Sequence, residues 1–332
     1  MEQNLKTISK RLSTLSHRLH SNPSADIDWP DKLEGDYWYM APELMGLYGT
    51  KLWDQLSEAE LKRLSFWELV NFFSLIVNGE RLVVEGFTKR LFADTSVDMG
   101  EFVHHFVDEE NKHIQYFGRF CTQYAHKVYL DPNQYLPPGE DDLVFLTKVM
   151  IFEQISDHYN VAMMDDERLH PVVQQINRLH HFDEARHIAF GRRAVVETFN
   201  ALYGNASAEK LATMREYLQA FIDSAWESYF NPKLYEDAGI DKAYSVAQIA
   251  QRTEASAARF KASSHVVLDF LRRNGVLEGS SEPEPHSDRP APLHDSELPN
   301  TKTADQCATK GTDAALARPR VATHFEHRET RR

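Results

Sequence analysis

The stretch LHHFDEARHIAF (179–190) places His180, Glu184 and His187 within eight positions. A helix advances about 100° per residue, so Glu184 lies about 40° past a full turn from His180, and His187 about 20° short of two turns. All three side chains therefore share one narrow helical face. Ile176, Ile188 and Ala194 lie near the same stripe. A carboxylate and two imidazoles on a buried stripe are costly unless something compensates them, and a metal ion is the natural compensation.

A second segment, FVDEENKHIQYF, repeats the Glu-x-x-His spacing with Glu110 and His113. Each glutamate is preceded by an acid, Glu109 in one motif and Asp183 in the other. Such an acid can reach an imidazole on the facing helix and fix its tautomer. A carboxylate-bridged di-metal site needs two such motifs plus one glutamate from each of two further helices. KVMIFEQISDHY supplies Glu153 among Val149, Met150, Ile151 and Phe152, an apolar setting. LIVNGERLVVEGF supplies Glu80 and Glu85. Glu85 has Arg81 and Lys89 four positions away on either side, the surroundings of a solvated ion-pair face. Glu80 is surrounded by Ile76, Val77, Val83 and Val84. A hairpin turning near 94–96 also brings Glu80, rather than Glu85, level with Glu110. Glu80 is the choice and Glu85 the fallback. Glu80 and Glu110 are then 30 positions apart, and Glu153 and Glu184 are 31 apart.

Carboxylates and imidazoles without thiolates suit iron, with manganese as the other possibility. Four carboxylates offset four of the six charges of two ferric ions. Asp157, one turn beyond Glu153, is a possible outer partner of the site. His181, His104 and His105 do not share the ligand faces and read as structural or surface residues. Thirteen tyrosines make a radical role for Tyr116 or Tyr159 no more than a guess.

The elements that must position these residues are helices. Leu5, Ile8, Leu12, Leu15 and Leu19 mark a short amphipathic helix, and 36–56 reads as an irregular, aromatic-rich cover. SEAE (57–60) and SFWE (65–68) both fit a capping box. Helical patterns then run from Ser65 to about Phe92, from about Asp98 to Val128, from Asp142 to Met164 and from Pro171 to Leu202. Further helices are expected over 207–230 and 242–273. Alternating strand patterns are almost absent. The expected fold is all-α, a ferritin-like four-helix bundle with additional helices. Residues 1–278 form the helical domain. From 279 to 332 the chain turns rich in Pro, Ser, Thr and charge, the composition of a disordered tail.

Net charge is −13, from 50 acidic against 37 basic residues. That argues against nucleic acid and anionic membrane as partners. Two cysteines far apart imply neither a disulfide framework nor a thiolate site. The N-terminal stretch lacks the continuous apolar run of a signal peptide, and no segment reads as a transmembrane helix. A cytoplasmic protein is expected, with a homodimer as a weaker expectation.

The seven-residue set resembles that of the p-aminobenzoate N-oxygenase family. The resemblance spans roughly 60–200 and rests on NGERLVVEG, VDEENKH, IFEQISD and HHFDEARH. It implies that Glu80, Glu110, His113, Glu153, His180, Glu184 and His187 bind two iron ions. It further implies that O2 and an external electron donor serve to oxidise a primary amine to hydroxylamine, nitroso or nitro in secondary metabolite biosynthesis. His180, the imidazole beyond the common four-Glu, two-His core, is by resemblance the residue that supports oxygen transfer to nitrogen. The amine could be free or carried on a protein. The segment between Phe92 and Asp98 is short for the family, which bears on the substrate rather than the metals. A pocket beside the ions is expected, with Phe106, Phe117, Phe152, Ile188 and Phe190 in position to line it. A di-iron hydroxylase or desaturase acting on C–H bonds, or a ferritin-like iron-handling protein, would use the same core.

Overall fold

The computed structural model describes residues 4–92, 99–130 and 140–279. Ten α-helices follow in order among them: α1 (Leu5–Arg18), α2 (Pro23–Asp26), α3 (Glu58–Arg90), α4 (Phe102–Phe120), α5 (Asp142–Met163), α6 (Pro171–Tyr203), α7 (Ala208–Glu227), α8 (Pro232–Asp237), α9 (Ala243–Gln251) and α10 (Glu254–Arg273). The described residues contain no strand, only an isolated bridge between Trp38 and Leu169. Among them no helix is long and apolar enough to cross a membrane. The tail expected from 279 lies, beyond Gly279, outside the described residues, as does most of the 129–141 loop.

Helices α3 to α6 form the four-helix core of an all-α bundle. α3 packs along α4, and α5 along α6. α1 lies across α4 and α6, while α7 and α10 pack against α5. The helix ends follow local chemistry. Ser57 and Glu60 form a reciprocal capping box at the start of α3, and Asp141 caps α5 by accepting from Val144 N–H. Pro171 opens α6 at a position where its missing N–H costs nothing.

Three expectations about boundaries need correction. The first long helix starts at Glu58, not at Ser65. Ser65 already sits in helix, its Oγ donating to Lys62 O and accepting from Tyr39 N–H of the cover segment. α4 stops at Phe120, where a single π turn (Cys121–Ala125) leads to His126 at φ 52° and ends the helical path well before Val128. The 242–273 segment is two helices, because Thr253 leaves the helical conformation and caps α10 by accepting from Ser256 N–H.

Small residues set the closeness of α3 and α5. A Cβ added at Gly79 would lie 2.4 Å from Phe152 Cζ, and one at Gly86 would lie 2.1 Å from Phe145 Cε2. The two aromatic rings of α5 therefore rest directly on the α3 backbone. Around them Phe87, Phe102, Phe106 and Phe190 form a buried aromatic cluster. The ends of the four core helices are thus packed, and their polar residues converge halfway along.

Candidate metal centre

Each core helix contributes to one buried polar cluster: Glu80 from α3, Glu110 and His113 from α4, Glu153 from α5, and His180, Glu184 and His187 from α6. All seven are at most 1 % exposed. Three overlapping groups have their ligand atoms within 4.8 Å of one another: Glu80–His113–His180–Glu184, Glu110–His113–Glu184–His187 and Glu80–Glu110–Glu153–Glu184. Glu85, the fallback, is on the surface and pairs with Lys89 at 2.5 Å.

The orientations fit cations better than they fit hydrogen bonds. His187 Nδ1 lies 2.8 Å from Glu110 Oε1, and His180 Nε2 lies 2.9 Å from Glu184 Oε1. Yet Glu110 Oε1, His187 Nδ1 and both Glu184 oxygens make no hydrogen bond, nor do both oxygens of Glu153 and Oε2 of Glu80. These atoms are close but not aimed at each other. Leaving so many buried polar atoms unpaired costs on the order of 1–3 kcal/mol each. A pair of ions placed among them would remove that cost, so the residues present fit a di-metal cofactor.

The charge state points the same way. Burial, reinforced by the Glu110 charge, pushes Glu80 up to about 8. Burial together with Glu184, Glu110 and Glu80 holds Glu153 well above the carboxylate range. For Glu110 and Glu184 burial also works upward, but facing imidazoles outweigh it and hold both below the ordinary value. Burial disfavours the cationic imidazole at His113, His180 and His187, yet the surrounding acids raise all three. Without ions, protons on carboxylate and imidazole balance the cluster. Metal binding displaces such protons.

The acids preceding each motif glutamate do cross to the facing helix. Glu109 Oε2 accepts from His187 Nε2 at 2.9 Å, and Asp183 Oδ2 accepts from His113 Nε2 at 3.3 Å. Each contact engages the nitrogen away from the cluster and leaves Nδ1 turned inward. Sequence reasoning missed what binds the two acids together. Arg186 donates from NH2 to Glu109 Oε1 at 2.6 Å and to Asp183 Oδ1 at 2.5 Å, and from Nε to Ser16 Oγ of α1 at 3.0 Å. The signal was present, since Asp183 and Arg186 are three apart on α6.

Asn160 was missed as well. Its side-chain amide lies 2.6 Å from His180 Nδ1, while its Oδ1 has no partner. The two ends of the amide are nearly the same shape, and turning it over gives Oδ1 the partner it lacks. With Oδ1 accepting from Nδ1–H, the Nε2 lone pair of His180 is free to face Glu80 and Glu184. Asn160 lies seven positions after Glu153, on the same stripe of α5.

Asp157 reaches no cluster residue; it pairs with His181 at 2.7 Å. His104 is exposed, and half-buried His105 packs edge-on against His17. Phe106 stacks on His187 at 3.8 Å and Phe117 meets His180 edge-on at 4.8 Å. Phe152 covers Gly79, Phe190 packs in the aromatic cluster, and Ile188 is buried. Tyr116 is fully buried beside His113, with ring centroids 5.6 Å apart.

Residues 2–275 match the family described as p-aminobenzoate N-oxygenase AurF. The chain belongs to the p-aminobenzoate N-oxygenase family. The chain is similar, at 25 % identity over 198 residues, to uncharacterized proteins of Mycobacterium tuberculosis and Mycobacterium bovis. That match takes in 54 % of this chain and 58 % of theirs. Among solved structures, it is similar to an R2-like ligand-binding oxidase mutant reconstituted with a Mn/Fe cofactor, at 15 % identity and TM-score 0.44, covering 83 % of this chain and 94 % of that one. The same oxidase without metal cofactor gives 15 % identity and TM-score 0.42, covering 83 % and 97 %.

Proposed function

We propose that Glu80, Glu110, His113, Glu153, His180, Glu184 and His187 bind two iron ions, and that the protein is an O2-dependent N-oxygenase acting on a primary amine. Two bound iron ions supply the capacity to activate O2 with electrons from an external donor. The chain's own residues do the rest. The four carboxylates would hold the pair and offset its charge, and Glu109, Asp183 and Asn160 orient the three imidazoles. The ring of Phe106, stacked on His187, and that of Phe117, edge-on to His180, keep water off both imidazoles.

The observation carrying the amine assignment is the placement of His180 Nε2 inside the cluster, beside Glu80 and Glu184. A seventh ligand, and the third nitrogen donor, adds electron density to the pair beyond the common six-residue core. Family membership supports the same reading. The substrate is an arylamine, an amino acid or a carrier-bound aminoacyl group.

The test is to load purified protein with iron, reduce it, admit O2 and offer amines of these three classes. Hydroxylamine, nitroso or nitro products, with O2 uptake accelerated by the amine, are expected. Products oxidised at carbon would instead favour the hydroxylase or desaturase reading, and uptake of many irons per chain the storage reading. His180→Ala should retain most iron by elemental analysis but lose amine oxidation; undiminished amine oxidation in that variant overturns the assignment.

A further inference from the structure

The surface between α1 and α6 holds an open groove of about 600 Å³. Ile8, Leu12, Leu15 and Leu179 line it, and two large apolar side chains stand exposed at its lip, Leu19 at 55 % and Phe182 at 56 %. Its floor is formed in part by Asp183 and Arg186. Asp183 touches His113, so the groove comes within one carboxylate and one imidazole of the candidate metals.

The charge around it is unlike that of the rest of the chain. α1 carries Lys6, Lys10, Arg11 and Arg18 and no acidic residue, in a protein of net charge −13. Arg11 lines the groove, and Arg18 lies seven positions on, along the same stripe as Leu15. Apolar walls and lip with Arg11 and Arg18 at the rim complement a partner presenting an apolar patch ringed by acids. Such charge pairing steers encounter and suits the small, transient interfaces of electron transfer.

We propose that the α1–α6 groove docks a small acidic one-electron carrier protein. This rests on the reading of the cluster as a di-iron oxygenase, which needs electrons from outside. Each electron leaves one reduced carrier and ends on one ion. Two carriers, each oxidised by one electron, take the pair from diferric to diferrous.

The test uses the full chain and an iron–sulfur ferredoxin of acidic pI, with basic cytochrome c as the comparison probe. Ferredoxin should bind the metal-free protein at low salt through Arg11 and Arg18, whereas any attraction of cytochrome c to the net charge of −13 should not weaken when those arginines are replaced. Joint Arg11→Glu and Arg18→Glu substitution should weaken ferredoxin binding about tenfold or more, and Phe182→Ala several-fold. Lys261→Glu, exposed on α10, should leave it unchanged. In the iron-loaded protein, reduction by ferredoxin should slow in parallel while reduction by dithionite stays the same. Unaltered ferredoxin affinity in the double variant overturns the proposal. So does a double variant whose only change is loss of self-association in light scattering, or loss of binding to phosphatidylglycerol vesicles. Because binding is read on metal-free protein, failure of amine oxidation leaves this result interpretable, and the reverse also holds.

Discussion

Helix α3 buries two glutamates twelve positions apart, Glu68 and Glu80, and the surrounding structure treats them differently. Glu68 is 6 % exposed under the aromatic cover segment. Its Oε1 accepts the Gly46 N–H at 2.9 Å. Arg259, whose guanidinium also donates to Gly46 O at 2.7 Å, draws its pKa downward. A cavity of about 10 Å³ beside it has room for one water. Glu80 is fully buried, faces three other carboxylates and two imidazoles, and has an oxygen with no hydrogen bond. Burial raises both groups, Glu68 to about 7 and Glu80 to about 8. A buried, proton-holding carboxylate is therefore not by itself a metal ligand. What separates the two is that Glu68 has a backbone N–H donor and a guanidinium nearby, whereas around Glu80 several carboxylate and imidazole atoms are left converging on a common space.

The largest effect that could break this comparison is at Glu184. Its Oε1 lies 2.9 Å from His180 Nε2 and 3.5 Å from both His113 Nδ1 and His187 Nδ1. Glu184→Ala should weaken ion binding by more than about 100-fold, taking elemental analysis from two ions per chain to fewer than one. Glu68→Ala should retain two. Equal metal content in both variants would erase the distinction.

Arg186→Met comes next. It leaves Glu109 and Asp183 buried without their shared cation, a loss on the order of 3–5 kcal/mol in urea denaturation. It should also weaken ion binding roughly 10- to 100-fold through the freed imidazoles.

Glu68→Gln sharpens the other side. Glu68 keeps its proton up to about 7 in the folded chain, against 4.5 as its ordinary value. Between those values the unfolded chain has ionised and the folded chain has not, so stability falls as pH rises. Above about 7 the full penalty stands, on the order of 3 kcal/mol. Glutamine does not titrate. The variant should match the parent near pH 4 and exceed it by up to about 3 kcal/mol at pH 8 in denaturant melts. A pH-independent difference would refute the assignment of that penalty to Glu68.

Asn160→Leu is the smallest change. It removes the partner of His180 Nδ1 and should lower ion affinity by about tenfold without altering the Glu68 region, as ion titration and a pH series of melts would register.

The buried polar cluster was legible in the sequence because helical periodicity alone puts His180, Glu184 and His187 on one face and makes Glu153 conspicuous among apolar neighbours. Glu80 was separable from Glu85 because Lys89 marked the latter as solvated. Ser65 was misleading for a physical reason. Ser-x-x-Glu reports a helix start only when the serine backbone is extended, and here both Ser65 and Glu68 turn to hold the cover segment, contacts spanning more than twenty positions. Asn160 acts across helices α5 and α6, so no local pattern assigned its partner; the spacing of three marked Asp183 for Arg186, but not Glu109 of α4 or Ser16 of α1. The early end of α4 rests on a π turn, which periodicity does not distinguish from continued α-helix.

Gly79 and Gly86 sit two turns apart on α3 with the rings of Phe152 and Phe145 filling the space a Cβ would take. Ring against bare backbone thus acts as the gauge of the gap across which Glu80 and Glu153 confront each other. Alanine at Gly79 would wedge the two rods apart beside those carboxylates, so the ions would register a single methyl group before the scaffold did.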